Sequence, residues 1–412
     1  MQLSSAFRGG CAVLLTLAAG AVYGQDGTRS GASTSVSILA PSTNKLNYRT
    51  LQFVCGGVAQ AGTPIAANSP PVNGANKTSG TITVSGIPAT IGGLPTTVSR
   101  AHLFWTVLTD NALDSGTGSV VLFNGTPVAG LAIGAAPESP CFPQANTLSY
   151  RADVTSLVAS PGNGAYTVSG FPGGADFTEG ATLQILWSNP NGSLNEDNLY
   201  HALGNASGSL AVTQAELFSQ NMALNGTTAV GAVSASLYPV IGNGQSASEN
   251  LRFTAACSPA GGHNFDNALD GSTGAHAPGT CDSAIPGNQC FWDDDVLDVS
   301  SDFACPAGNS ATTANLKSDP TVSSTTDCLD WPALNLLTST DDATATAACG
   351  TYVDSQCPTG DTYKNHGDYV SCVAHAAERF LSAVPLGGSC PRESIQSGCV
   401  NPRARTDIGK KN

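Results

Sequence analysis

Charge is scarce in this chain. Asp, Glu, Lys and Arg make up 11% of its 412 residues, against roughly a quarter in an average globular domain. What charge there is leans acidic, with 16 basic and 30 acidic side chains and a formal net of −14. Nucleic acid is thereby excluded as a partner, because phosphate binding draws on a basic footprint that is missing. Long apolar runs are also missing: no stretch reaches the about 18 consecutive apolar residues of a membrane-spanning helix. No Cys-x-x-Cys occurs, which removes the zinc-ribbon, thioredoxin-type and haem-attachment readings. The strained Gly-x-Ser-x-Gly elbow of serine hydrolases has no match either; Asp270-Gly-Ser-Thr-Gly274 carries aspartate where the first glycine belongs.

Residues 1–24 read as a secretory signal, with Arg8 as the positive n-region, Cys11 to Ala21 as the apolar h-region and cleavage near Gly24/Gln25. The product is expected to be secreted, periplasmic or at the cell surface. Removing the signal takes Arg8 and Cys11 with it, so the net charge becomes −15 and twelve of the thirteen cysteines remain. Twelve is an even number, consistent with full pairing of Cys55, Cys141, Cys257, Cys281, Cys290, Cys305, Cys328, Cys349, Cys357, Cys372, Cys390 and Cys399 in an oxidising compartment. Ten of them crowd between Cys257 and Cys399. The two that remain, Cys55 and Cys141, are expected to bridge each other.

From about residue 30 to 215 the chain is a series of short β-branched or alternating runs separated by turn dipeptides. Ala101, Leu103, Trp105 and Val107 share one face of the run Arg100–Leu108, and His102, Phe104 and Thr106 the other, which predicts a central strand with both faces covered. Val120–Phe123, Asn124-Gly125 and Thr126–Ala129 predict a type I′ hairpin whose second strand, with Pro127, lies at an edge. Further Asn-Gly pairs at 73, 163, 191 and 225 extend the antiparallel pattern. The fold class is therefore mainly β: one or two antiparallel, jelly-roll-like sandwiches followed by a small disulfide-rich helical region. The expected divisions are 1–24, 25–215 for a first sandwich, 216–345 for a second, Cys- and Asp-rich β region, and 346–412 for the tail. One local echo links the two β regions: Asp153-Val154-Thr155-Ser156 and Asp298-Val299-Ser300-Ser301. In the tail, apolar residues recur with helical period from Asp368 to Val384, predicting one helix with Asp368 as its cap. The stretch from Arg403 onward reads as polar and disordered.

Three groups of residues invite chemistry. Asp266, Asp270, Asp293, Asp294 and Asp295 offer the oxygen ligands that calcium takes in irregular loops, although the EF-hand pattern fails, with Ala268 and Ala277 at ligand positions. The competing reading, which composition favours, is a solvated acidic loop. His366 and His375, with Asp361, Asp368 and Glu378 nearby, are nine residues apart and match no zinc spacing. Trp187, Trp292 and Trp331 stand at strand ends or in loops, where aromatics can stack on sugar rings, while Trp105 reads as core.

Ala101-His-Leu-Phe-Trp105, Phe123-Asn-Gly-Thr-Pro-Val128, Tyr150-Arg-Ala-Asp-Val-Thr155 and Asn163-Gly-Ala-Tyr-Thr-Val-Ser-Gly170 resemble, in kind and order, pieces of secreted bacterial β-sandwich proteins, many of them adhesin-like. Tyr363-Lys-Asn-His-Gly-Asp-Tyr-Val-Ser-Cys-Val-Ala-His375 is similar to a cysteine-bearing segment of other secreted bacterial proteins. The resemblance implies no catalytic residue. The expected function is adhesion, or binding of carbohydrate or an extracellular protein, with calcium ordering the aspartate-rich loops. The alternatives are a secreted hydrolase working on polysaccharide through a carboxylate pair, and a structural subunit of an extracellular appendage.

Overall fold

A computed structural model describes residues 46, 48–65, 78–111, 115–137, 144–201, 219–228, 234–242, 251–258, 261–265, 292–304, 310–318, 330–359, 363–381 and 390–406. The strands in chain order begin with β1 (Tyr48–Pro64), β2 (Ser79–Val84), β3 (Thr90–Ile91), β4 (Leu94–Pro95) and β5 (Thr97–Thr109). They continue with β6 (Val120–Phe123), β7 (Thr126–Ala129), β8 (Leu131–Pro137), β9 (Asn146–Asp153), β10 (Gly164–Ser169) and β11 (Phe177–Ser188). Next come β12 (Leu194–His201), β13 (Ser219–Thr228), β14 (Ala235–Gly242), β15 (Leu251–Ala255) and β16 (His263–Phe265). The series closes with β17 (Trp292–Asp293), β18 (Leu297–Asp298), β19 (Ser310–Ser318) and β20 (Asp330–Ser339), then α1 (Asp342–Gln356), α2 (His366–Phe380) and α3 (Arg392–Ala404).

Among the described residues every strand pairing is antiparallel, and the same arrangement occurs twice. In the first set a larger sheet β1-β11-β5-β9-β8 packs on a smaller one, β2-β10-β6-β7. In the second, β12-β20-β14, extended by β17 and β18, packs on β13-β19-β15-β16. Each set is a jelly roll, two Greek keys folded into two facing sheets. The Asp-Val-Thr/Ser-Ser echo marks equivalent points of the two. Asp153 Oδ1 accepts the Thr155 N–H at 2.9 Å, Val154 N–H donates to Ala101 O at 2.9 Å, and Ala101 N–H to Thr155 Oγ1 at 2.8 Å. Asp298, Val299, Ser300 and Ala235 repeat all three bonds at 2.9, 3.0 and 3.0 Å.

The long strand β1 joins the sets. Tyr48–Cys55 pairs with β12 and Gly56–Pro64 with β11, so the strand passes from one large sheet into the other at Gly56. Only glycine fits there, since a Cβ would overlap the Trp187 carbonyl oxygen. The hairpin at Asn124-Gly125 forms with φ of 47° and 76°, and β7 with its proline is the edge strand. β5 is central, between β11 and β9.

The helical region differs from the expected single helix: its described residues form three. Asn365, rather than Asp368, caps α2 by accepting the Asp368 N–H at 3.0 Å. α1 and α3 escape the hydrophobic pattern because their buried positions mix few large apolar residues with small ones, cysteine and arginine: Ala345, Cys349, Gly350, Tyr352 and Val353 in one and Arg392, Ile395 and Cys399 in the other. The bridges Cys349–Cys399 and Cys357–Cys372 tie the helices together. Arg403, assigned to the tail by its polarity, is helical and clamps Asp354 with bonds of 2.7 and 2.6 Å.

Cys55 does not bridge Cys141. Its partner is Cys390, with Cα atoms 5.9 Å apart, and Cys141 lies outside the described residues. The reason is the strand period. Leu51, Phe53 and Cys55 alternate onto the outer face of β1, where they meet Tyr352, Phe380 and the other apolar residues of the helices. Cys257 is also disulfide-bonded, while Cys281, Cys290, Cys305 and Cys328 lie outside the described residues. Such bridges persist in an oxidising compartment. Among the described residues no helix is long and apolar enough to cross a membrane.

Candidate binding site

The inner faces of the two large sheets meet each other, and that interface is polar. It follows from alternation: Leu103 and Trp105 of β5 point into the first sandwich core, which aims Arg100, His102 and Thr106 at the second jelly roll. Arg100 Nη2 reaches Asp197 of β12 at 2.8 Å and Nη1 donates to Gln52 of β1 at 2.8 Å. Asn335 of β20 donates to Asp197 at 2.8 Å and to Gln184 of β11 at 3.1 Å, and Gln184 donates to Gln60 at 2.9 Å. Gln60 in turn donates to the backbone oxygens of Pro239 and Asp294 at 2.8 and 2.9 Å. Thr106 donates to Glu179 at 2.7 Å and Ser149 to Asp330 at 2.8 Å. A buried group of this kind costs free energy unless its hydrogen bonds are met, and here each sheet supplies partners for the other. Burial pushes the Tyr238 phenol, which donates to Val58 O at 3.3 Å, up to about 12, with Asp197 adding to the rise against a lowering hydrogen bond from Ser236.

At one end this network opens to solvent in a cavity of about 220 Å³. β1 contributes Thr50 and Gln52, β5 contributes Ser99, Arg100 and His102, and the end of β9 with the following turn contributes Asp153 and Thr155. Every lining side chain can hydrogen-bond, and the one ring among them is the imidazole of His102. His102 and Asp153 are cross-strand neighbours in the β5–β9 register. Arg100 belongs to both wall and network; its side chain is 11% exposed and Asp197 behind it is 0% exposed. Pairing with a buried carboxylate and a glutamine removes most of the freedom of the guanidinium before any ligand arrives.

Asp293 and Asp294 are buried and Asp295 half-buried, so the first two do not belong to a solvated loop. They sit where β17 enters the interface, with Asp294 Oδ2 accepting from Thr182 at 3.0 Å above Gly62, whose missing side chain leaves the room. Asp266 and Asp270 lie outside the described residues. Among the described residues no three His, Cys, Asp or Glu side chains converge as a metal centre requires. His375 is exposed on α2 and meets Ser371 of its own helix, while Glu378 is held by Arg392. Trp292 and Trp331 are buried like Trp105; Trp187 is half-buried.

Sequence reasoning passed over Gln52, Arg100 and Asp197. The available signal was polar residues at every second position of strands whose other face is wholly apolar, as in Arg100-Ala-His-Leu.

No protein-family model and no curated protein matches the chain. Among solved structures, a glycosylasparaginase, PNGase F, from Flavobacterium meningosepticum is similar at 12% identity over 69% of this chain and 96% of that one, with a TM-score of 0.18. SGBP-B of a Bacteroides ovatus mixed-linkage glucan utilization locus, in complex with a mixed-linkage heptasaccharide, is similar at 6% identity over 75% of this chain and 98% of that one, with a TM-score of 0.15. Neither score reaches that of a shared fold.

Proposed function

We propose that the protein is a secreted carbohydrate-binding protein, exported by its N-terminal signal, and that the cavity beside Arg100 seats one sugar ring. The observation that carries this reading is the lining: seven side chains, all with hydrogen-bonding groups, on three strands and a turn, with the one guanidinium already held in place. Sugar hydroxyls both donate and accept. A wall of fixed amide, guanidinium, hydroxyl and carboxylate groups meets them at little cost in conformational entropy. The cavity is smaller than the roughly 300–1,000 Å³ that takes a drug-sized molecule, which suits a single ring rather than an oligosaccharide. Hydrolysis of polysaccharide uses two carboxyl groups roughly 5–10 Å apart, and of the described carboxylates Asp153 is the one that lines the cavity. Binding is therefore favoured over cleavage.

The test is a glycan array followed by calorimetry on the best ligand, with Gln52→Ala as the probe variant. Losing the bond to Arg100 and one wall group should weaken binding by about tenfold, the worth of one or two hydrogen bonds. Absence of binding to any glycan, or a Q52A protein that binds as tightly as the parent, overturns the reading.

A further inference from the structure

We infer that the cavity discriminates by charge, taking neutral and amino sugars in preference to acidic ones; the inference rests on the carbohydrate-binding reading. Two charged side chains line the cavity, Arg100 and Asp153, and the structure treats them differently. Arg100 is neutralised from within the wall by Asp197, 2.8 Å away and fully buried. An acidic ligand would have to compete with that carboxylate for the same guanidinium. Asp153 is exposed, and its Oδ1 accepts only the neutral Thr155 N–H at 2.9 Å. Among the described residues no cation pairs with Asp153 within ion-pair distance.

The charge facing a ligand is thus an anion with no counterion among the described residues, beside a cation that already has one. A sugar hydroxyl or ammonium can donate to the Asp153 carboxylate while the ring oxygen or another hydroxyl oxygen accepts from Arg100. A uronate carboxylate meets repulsion from Asp153 and little net attraction from the Arg100–Asp197 pair. Two like charges about 6 Å apart at a partly exposed site, with an effective dielectric between that of water and about 20, give a discrimination on the order of tenfold.

The experiment is calorimetry at pH 8 and low salt with the methyl glycosides of glucose, galactose and mannose, each beside its uronate and its 2-amino counterpart. For whichever sugar binds, the uronate should bind about tenfold more weakly than the neutral form. Asp153→Asn should close that gap and weaken the amino sugar. Asp197→Asn, if near-ultraviolet dichroism shows native packing, should tighten uronate binding by uncovering the guanidinium. A uronate that binds as well as the neutral sugar in the parent protein, or an unchanged ratio in D153N, overturns the charge inference and leaves carbohydrate binding standing. If no sugar of the panel or of the wider array binds, the carbohydrate reading falls and takes this inference with it.

Discussion

Replacing Arg100 by Met tests whether the interface between the two jelly rolls depends on a matched charge. Arg100 is 11% exposed, and the Asp197 side chain it leaves behind is 0% exposed. Breaking a buried pair by removing one member costs about 3–5 kcal/mol, because the remaining charge is stranded away from water. The lower end applies here, since Asn335 Nδ2 continues to donate to Asp197 Oδ1 at 2.8 Å. We therefore expect R100M to lose about 3 kcal/mol in equilibrium urea unfolding followed by tryptophan fluorescence. The double variant R100M/D197L should recover part of that loss, because an apolar pair of similar volume leaves no buried charge. A loss below about 1 kcal/mol in R100M, the level of an exposed ion pair, or a double variant less stable than R100M, would refute the reasoning.

Cys55–Cys390 closes 335 residues and Cys357–Cys372 closes 15, which the chain-entropy relation converts to about 6 and about 3 kcal/mol of stabilisation. Paired Cys→Ala substitutions should lower the thermal midpoint in that order, and the reverse order would refute the assignment of Cys55 to Cys390. Gly56→Ala should fail to give soluble, folded protein, whereas Gly57→Ala meets only the Trp187 side chain and should fold with a reduced midpoint; equal behaviour of the two would show that β1 does not cross between sheets at Gly56. Burial holds the Tyr238 phenol at about 12 and pushes Tyr150 up as well. These folded-state values lie above the unfolded one, so the stability they protect is complete below pH about 10 and lost as pH rises toward 12; urea midpoints that stay flat from pH 9 to 12 would contradict this. The Ser300 hydroxyl and N–H hold Asp298 below its usual range, which gives stability above the ordinary carboxylate range that disappears as pH falls through the lowered value. Ser300→Ala should raise the Asp298 midpoint in an NMR titration, and an unmoved midpoint would show that the hydroxyl does not act.

Much of the β architecture was legible. Alternation in Arg100–Leu108 and the Asn124-Gly125 turn are local signals, and local backbone preferences decide them before any tertiary contact forms. The echo at Asp153 and Asp298 survives because each aspartate caps its own turn two residues on. Less was legible where a residue's role depends on a distant partner. The Asn191-Gly192 turn ahead of β12 does not show that the strand opens a second jelly roll; pairing with β20 and β1 shows it. α1 and α3 hide because cysteine, small residues and a buried arginine share their inner faces with only Tyr352, Val353 and Ile395.

Composition, cysteine count and strand period thus determined from the sequence alone a mainly antiparallel β chain with a disulfide-held helical end, since each depends on residues near one another or on simple number. The tertiary structure alone decided that Cys55 meets Cys390, that Asp294 is buried rather than solvated, and that Arg100 stands between Gln52, Asp197 and an open cavity. Those are choices of partner across 48 to 335 positions of chain. Sheet-to-sheet packing makes such choices, and no periodicity in the sequence records them.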